Sequence, residues 1–426
     1  MSNGASTSNL LRPKLITTLQ EGYDAGCLRS DLMAGLTVAV VALPLSMAIA
    51  VASGVGPERG LYASIFGGFV VSALGGSRFQ IGGPAGAFIV LVAATVSKFG
   101  VDGLLTTVML SGCLLALAGL LRIGSVIRHV PQAVAVGFTA AIAIVILASQ
   151  LKDLGGLTLV GAEPGPLMPK IAALAHAMPT FNLAAFTVGI VSATLIFTMR
   201  RLRPNWPGML AVVVLASALV PLLKLPVDTI GDRFGTLAAA LPPARLPGWT
   251  LSRLWPLLPS VLSFTLLGGV ESLLSAKVAD GMTGRVHRSN MELVAQGLAN
   301  IVSALFGGIA VTGTIARTAT NIRAGARTPV AGLLHALFLL VFLLAAAPLT
   351  AYIPLAALAG VLLVVCWNMA EKAEFSRLLR QPRGAAVLLT TFLGTLLFDL
   401  TTGIVAGWLL SWISGAVAAL RARRPG

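Results

Sequence analysis

About fourteen apolar stretches, separated by charged residues or Pro/Gly breaks, fill this chain from residue 32 to residue 420. The first half reads 32–52, 59–75, 84–98, 103–121, 130–151, 182–199 and 206–223. The second half reads 256–279, 291–306, 314–324, 328–347, 351–369, 384–399 and 402–420. A membrane-crossing helix needs roughly 20 apolar residues, and most of these stretches supply them. Only 11% of the 426 residues are charged, against about 25% in a soluble domain. The fold class that follows is an all-α membrane protein. Residues 1–28 are polar with scattered charges and read as an uncleaved N-terminal tail rather than a signal peptide.

The formal net charge of +15 raises the question of nucleic acid. A nucleic-acid binder clusters Lys and Arg on one face; here they stand singly or in twos and threes between apolar runs, and no nucleic-acid partner is expected. They sort by side instead. With both termini cytoplasmic, 21 of the 30 basic residues fall inside, eight outside, and Arg317 within a span. That bias is the positive-inside signature. The three cysteines, Cys27, Cys113 and Cys366, lie far apart and read as small apolar residues. The four histidines form no metal-ligand cluster, and no G-x-S-x-G nucleophile motif occurs, so neither an enzyme nor a cofactor is expected.

Two stretches, 84–98 and 314–324, are too short to cross as ordinary helices. Each follows a Gly-rich, strand-compatible run, Phe79-Gln80-Ile81-Gly82-Gly83-Pro84 and Gly308-Ile309-Ala310-Val311-Thr312-Gly313. Non-helical backbone at membrane depth survives only where protein or a water-filled cavity satisfies it. Short, Gly/Pro-interrupted segments in corresponding halves point to a transporter's binding site. These do correspond. Val71-Ser72-Ala73-Leu74-Gly75-Gly76 precedes the first, and Val302-Ser303-Ala304-Leu305-Phe306-Gly307-Gly308 precedes the second, 231 residues later (302 less 71). A weaker echo pairs Ser46-Met47-Ala48 with Ser272-Leu273-Leu274. Seven spans per copy is an odd number, so the second copy enters inverted. No Gly-Lys-Ser/Thr follows these glycines, which excludes a phosphate-cradling loop.

Of the fifteen acidic residues, only Glu271 lies near the middle of a span. An ionisable group there is costly and points to function. Ser275, four residues later on the same helical face, adds a neutral oxygen beside it, and the pair is the candidate coupling-ion site. Arg317, near the start of the second short helix, adds a permanently charged fork suited to oxyanions. The amino ends of both short helices offer free amides and a positive dipole. The candidate substrate site is therefore Gly83, Pro84, Ala85, Gly86 and Ala87 together with Thr314, Ile315, Ala316 and Arg317. Plainer readings stand beside this one. Glu271 could pair structurally to hold two helices together, and Arg317 could snorkel to the cytoplasmic face or neutralise Glu271. Asp31 and Arg29 read as interface residues, 371–383 as an interfacial amphipathic helix, and His287 as a solvated loop residue.

Several motifs in order resemble the bacterial sulfate permease (SulP) family. They are Asp31-Leu32-Met33-Ala34-Gly35-Leu36-Thr37-Val38, Leu43-Pro44-Leu45-Ser46-Met47-Ala48, Ser53-Gly54-Val55-Gly56-Pro57 and Gly60-Leu61-Tyr62. Further along come Gly82-Gly83-Pro84-Ala85-Gly86, Glu271-Ser272-Leu273-Leu274, and Arg317 with Asn321-Ile322-Arg323-Ala324-Gly325. The resemblance implies fourteen segments in two intertwined inverted repeats, with core and gate domains and a site between half-helices three and ten. It also implies a homodimer and elevator-like movement of the core. The boundaries expected are a tail over 1–28, a transporter domain over 29–420 and a cytoplasmic end over 421–426. Within the transporter domain the core covers 29–122 and 255–347, and the gate 126–224 and 350–420. The family usually continues into a STAS domain, and this sequence stops at Pro425-Gly426 without one.

The dicarboxylate-transporting branch looks nearest, through Val270-Glu271-Ser272-Leu273-Leu274 and Ala279-Asp280-Gly281-Met282-Thr283-Gly284. In similar sodium–bicarbonate members an aspartate matches Glu271 and threonines match Ser275 and Ile315; Ile315 has no ligating oxygen. Many members carry Pro-Gln where this chain has Pro44-Leu45. The resulting expectation is a proton-coupled symporter of a C4-dicarboxylate such as fumarate or succinate, in the bacterial inner membrane. The alternatives are a proton- or sodium-coupled sulfate or bicarbonate transporter, an anion exchanger, and an anion channel.

Overall fold

A computed structural model describes residues 11–124, 131–161, 163–164, 167–203, 206–248, 251–398 and 400–422. Of the basic residues sorted by side above, Arg128, Arg423 and Arg424 lie outside the described residues, as do residues 1–10 of the expected tail and 423–426 of the expected end. Among the described residues, seven helical stretches are long and apolar enough to cross a membrane. They are Ala25–Ala52, Gly86–Leu120, Gln132–Leu154, Leu183–Leu202, Leu254–Thr283, Val330–Tyr352 and Leu355–Leu379. Shorter apolar helices cover Gly208–Leu222, Pro382–Leu397 and Thr402–Ser414. Helix is the required answer here, because lipid offers no partner to a backbone N–H or C=O.

In chain order the helices are α1 (Lys14–Glu21), α2 (Ala25–Ala52), α3 (Pro57–Tyr62), α4 (Gly68–Leu74), α5 (Ile89–Leu120) and α6 (Gln132–Leu154). Next come α7 (Leu167–Ala177), α8 (Leu183–Leu202), α9 (Gly208–Leu222), α10 (Ile230–Phe234), α11 (Leu251–Thr283) and α12 (Ser289–Leu305). The last are α13 (Ile315–Arg323), α14 (Val330–Ala346), α15 (Leu355–Met369), α16 (Lys372–Leu379), α17 (Pro382–Leu397) and α18 (Leu400–Ala422). A π-helical turn, Ala63–Gly67, joins α3 to α4, and a 3-10 turn, Gly86–Phe88, leads into α5. The stretch expected as an interfacial helix over 371–383 is shorter, since Pro382 already opens α17. Both broken segments are present. Gly100, with φ +69, divides α5 into a short first piece and a longer second one, and α13 has nine residues.

Two two-residue strands, β1 (Gly82–Gly83) and β2 (Thr312–Gly313), pair antiparallel, with Gly82 opposite Gly313 and Gly83 opposite Thr312. The Gly82–Gly313 pair spans 231 residues (313 less 82), the same offset that separates the two sequence copies. A residue of the first copy thus pairs with its own counterpart in the second. An inverted arrangement of the two copies would produce that pairing.

Helices α2, α4, α5, α11, α12, α13 and α14 pack with one another, while α15 lies on α6 and α8, and α17 on α6 and α18. The two groups meet where α2 touches α15 and α9, and where the 86–88 turn touches α6. Small residues set the closest approach. A methyl on Gly112 of α5 would lie 2.6 Å from the Gly297 carbonyl oxygen of α12, so the two backbones touch directly, as small residues permit in membranes.

Asp31 differs from its expected interface role: it is fully buried. Its Oδ1 accepts the Arg327 and Thr328 amides at 2.8 and 3.1 Å, and its Oδ2 accepts the hydroxyls of Thr328 at 2.5 Å and Tyr23 at 3.3 Å. The carboxylate satisfies the turn that launches α14, and so ties α13 and α14 to α2. We expect Asp31→Ala to lower the melting midpoint in detergent by several degrees, since each buried N–H left unpaired costs about 1–3 kcal/mol. Asp31→Asn keeps an acceptor and should recover part of the loss; an unchanged midpoint for the alanine protein would refute the capping role.

Part of the expected tail is ordered as α1. The Lys14 amide donates to the Gly75 carbonyl at 2.9 Å, and Arg288 Nη1 donates to the Arg12 carbonyl at 2.7 Å and Thr17 Oγ1 at 3.0 Å. Arg78 and Glu21 form an ion pair at 2.5 Å, and Arg78's hydrogen bond holds the Glu21 carboxyl below its usual range. Helix α1 therefore sits on the loop that feeds β1.

Candidate functional site

Antiparallel strands leave their crossing in opposite directions, so the helices they feed begin side by side and run apart. Pro84 and Ala85 carry β1 into the 86–88 turn and α5, and Thr314 carries β2 into α13. Neither start has a side-chain cap. Thr314, a residue type that often caps, donates both its N–H (3.0 Å) and its hydroxyl (3.4 Å) to the Ile81 carbonyl instead. The first-turn amides of a helix have no intrahelical acceptor, and the dipole makes that end positive. Two such ends meet here. Ala85, Gly86 and Ala87 are buried, as is Thr314, whereas Ile315 is half-buried and Ala316 exposed. Of these residues only Ile315 and Ala316, on α13, are partly or fully exposed.

The Arg317 guanidinium is turned inward, with the residue 1% exposed. Nη1 donates to Ser64 Oγ at 3.0 Å, and Nη2 to Ser46 Oγ at 3.1 Å and to the Pro84 carbonyl at 3.3 Å, while Nε has no partner. The two hydroxyls are 2.8 Å apart. Their carriers, α2 and the π-helical turn, form the wall behind β1. A methyl on Gly83 would overlap Nη1 and lie 3.0 Å from Ser64 Oγ, so the strand passes directly over the guanidinium. Arginine thus underlies the junction with its charge, and its fork is engaged by protein atoms.

Glu271 and Arg317 form no ion pair among the described residues. Glu271 is half-buried, and its Oε2 is buried without a partner. Its neighbours on α11 attach to the broken segments. The Gly268 carbonyl accepts Thr312 Oγ1 at 3.3 Å, Ser272 Oγ accepts Gln80 Nε2 at 2.7 Å, and Ser275 Oγ donates to Thr318 Oγ1 at 3.2 Å. Ser275 is therefore joined to α13, where the sequence suggested support for Glu271. Residues 268, 271, 272 and 275 share one face of α11, so spacing alone left Ser275 either partner, and packing gives it Thr318.

Sequence reasoning passed over most of the supports. Thr318 Oγ1 accepts the Ile81 amide at 3.1 Å and Asn321 Nδ2 donates to the Phe79 carbonyl at 2.9 Å, which fixes β1 to α13. On the other strand, Gln296 and Asn300 of α12 both donate to the Val311 carbonyl, and the Val311 amide donates to Asn300 Oδ1 at 2.9 Å. Glu292, fully buried on α12, accepts the Gly76 and Ser77 amides at 2.8 and 2.9 Å. Amides, hydroxyls and one guanidinium in an apolar surround can desolvate and hold a compact anion, with a carboxylate at hand for a cation.

Known proteins match this chain over most of its length. The sulfate permease family model matches residues 28–391. A Bacillus subtilis protein named as a sulfate transporter, YvdB, is 41% identical over 92% of this chain and 74% of its own length. The bicarbonate transporter BicA of a Picosynechococcus strain is 33% identical over 89% of this chain and 69% of its own length. The solved transmembrane domain of a cyanobacterial BicA superposes with a TM-score of 0.81 at 30% identity, covering 90% of this chain and 98% of that one.

Proposed function

The chain belongs to the sulfate permease family, and on that premise we propose that it is a secondary transporter of compact inorganic oxyanions, sulfate or bicarbonate. The relatives named for sulfate and bicarbonate favour this over the C4-dicarboxylate that the 270–274 and 279–284 motifs suggested. The reading rests chiefly on one observation: two uncapped helix ends meet at a strand crossing with a buried guanidinium beneath. Amide donors and a fixed charge suit small oxyanions, and no further protein charge is needed to hold a singly charged one.

In this reading Gly83, Pro84, Ala85, Gly86 and Ala87 on one side and Thr314, Ile315 and Ala316 on the other surround the anion, and Arg317 supplies charge from below. Glu271 takes the coupling cation, a proton or sodium; Ser275 steadies α13 beside it. The packing of two helix groups supports a core (29–122 and 255–347) that moves against a gate (126–224 and 350–420). Fourteen segments in two inverted repeats, a homodimer and an inner-membrane location with both termini cytoplasmic complete the proposal.

Uptake of labelled sulfate, bicarbonate and fumarate into proteoliposomes, at two pH values with and without sodium, tests it. Saturable accumulation of sulfate or bicarbonate against its gradient is the expected result. Preference for fumarate would restore the dicarboxylate reading, and large single-channel currents would make the protein a channel. In the same vesicles Glu271→Gln should reduce cation-driven accumulation at least about tenfold, the loss of roughly one well-placed charge interaction, while anion-for-anion exchange continues. Undiminished accumulation would remove Glu271 from coupling.

A further inference from the structure

On α14, His335 is fully buried, and neither ring nitrogen has a hydrogen-bond partner. A neutral imidazole carries one donor and one acceptor, and buried polar groups are nearly always satisfied by protein or ordered water. Gly68 stands between the ring and β1, the strand that covers the arginine. A methyl on Gly68 would be 4.0 Å from His335 Cε1 and 2.9 Å from the Gly82 carbonyl oxygen; the next residue, Gly83, covers the guanidinium. Two more buried polar atoms nearby lack partners, Arg317 Nε and Ser72 Oγ. Ser72 sits on α4 where a methyl on Gly332, three residues before His335, would overlap its hydroxyl. Ser72 Oγ and the ring thus border the same stretch of α14, beside the strand whose Gly83 covers the guanidinium.

The charges around the ring are few. Helix α4 and the 63–67 turn carry no ionisable side chain, and the 347–352 turn carries only Tyr352. On α2, Arg29 is exposed, and Asp31, one helical turn before Gly35, is taken up by Arg327 and Thr328. The other charged group at β1 is Arg317 of α13, beneath Gly83.

We propose that His335 is a proton site that matches the charge of the bound anion: neutral beside a monoanion, protonated beside a dianion such as sulfate. Internal water joins Ser72 Oγ, the ring and Arg317 Nε. The proposal rests on the anion-transporter reading of the same junction. With Glu271 balanced by its cation, Arg317 offsets one negative charge. A second negative charge in a low-dielectric interior needs a second positive one, and the imidazole is the group positioned to supply it. Without the anion, two adjacent positive charges repel; with a dianion, the repulsion is outweighed. The proton comes from bulk water and returns there when the anion leaves. By linkage, a proton that favours sulfate is itself favoured by sulfate to the same degree.

The test compares sulfate, whose charge is constant from pH 6.0 to 7.5, with chloride in proteoliposomes. Wild-type affinity for sulfate should rise about tenfold as pH falls across that range, approaching the limit for one linked proton, while chloride affinity changes less than about twofold. His335→Gln should abolish the sulfate rise and leave chloride uptake intact. A pH-independent sulfate affinity in the wild type, a rise retained in His335→Gln, or chloride uptake without any sulfate uptake overturns the inference and leaves the transporter standing. Absence of sulfate, chloride and bicarbonate uptake alike would instead overturn the transporter reading, whereas bicarbonate uptake alone overturns only the inference. Should the variant not fold, ¹⁵N-imidazole spectra of protein with the other three histidines replaced decide the matter. Sulfate should bring His335 to the doubly protonated form and chloride should not; an unchanged ring in sulfate overturns the proposal.

Discussion

Arg317→Gln should transport its anion about a hundredfold more slowly than wild type, with a melting midpoint within a few degrees of it. The guanidinium donates three hydrogen bonds to Ser64, Ser46 and Pro84 and underlies the proposed anion junction with its charge. Interactions with a charged group contribute about 1.5–3 kcal/mol each, and a hundredfold effect needs only about 2.8 kcal/mol. Arg317→Lys keeps the charge and gives up the fork, so it should fall between the two. Were the arginine only a brace between α13 and the Ser46–Ser64 wall, uptake and melting midpoint would fall together and lysine would rescue neither. Wild-type uptake by the glutamine protein would end any role in transport.

Gly83→Ala should reduce uptake by roughly ten- to a hundredfold through a different route. Its methyl would overlap Arg317 Nη1 and lie 3.0 Å from Ser64 Oγ, in a strand held by pairing on one side and by Pro84 on the other. Inserting a carbon into a full interior costs about 1–3 kcal/mol, and the guanidinium is the neighbour with somewhere to go. The diagnostic measurement is the double variant. If the methyl acts by displacing the guanidinium, Gly83→Ala with Arg317→Gln should be no worse than Arg317→Gln alone, because contacting residues are not additive. Multiplying effects would show that the methyl damages the strand crossing by itself.

The broken helices were readable in the sequence because two physical constraints meet in them. A stretch too short to cross, following glycines at membrane depth, leaves few options, and the 231-residue offset between copies reappears as the register of the Gly82–Gly313 pair. Glu271 and Arg317 stood out because charges are scarce inside spans. What the residues around them touch was less legible. The echo of Ser46 and Ser272 looked like symmetry alone, yet one hydroxyl receives Arg317 and the other receives Gln80. Serine, threonine, asparagine and glutamine are common along membrane helices, so their partners depend on rotation and distant packing, which spacing along one helix does not encode. Asp31 was misjudged for a related reason. Its position near a helix start suggested the membrane surface, whereas the Arg327–Thr328 turn folds over it from 296 residues away.

The strand pair also imposes an order on the protein's manufacture. Gly82 leaves the ribosome 231 residues before Gly313, and Gly83 229 before Thr312 (312 less 83), and Ser46 and Ser64 wait longer still for Arg317. Until α13 has been translated, the first copy holds β1 without its partner strand, and Ser46 and Ser64 have only each other and the Ala42 carbonyl. Quality control that samples nascent membrane proteins through exposed polar backbone would meet this chain at its most vulnerable during that interval. The second copy brings strand, amides and charge to the junction from one short stretch of chain, residues 312–317.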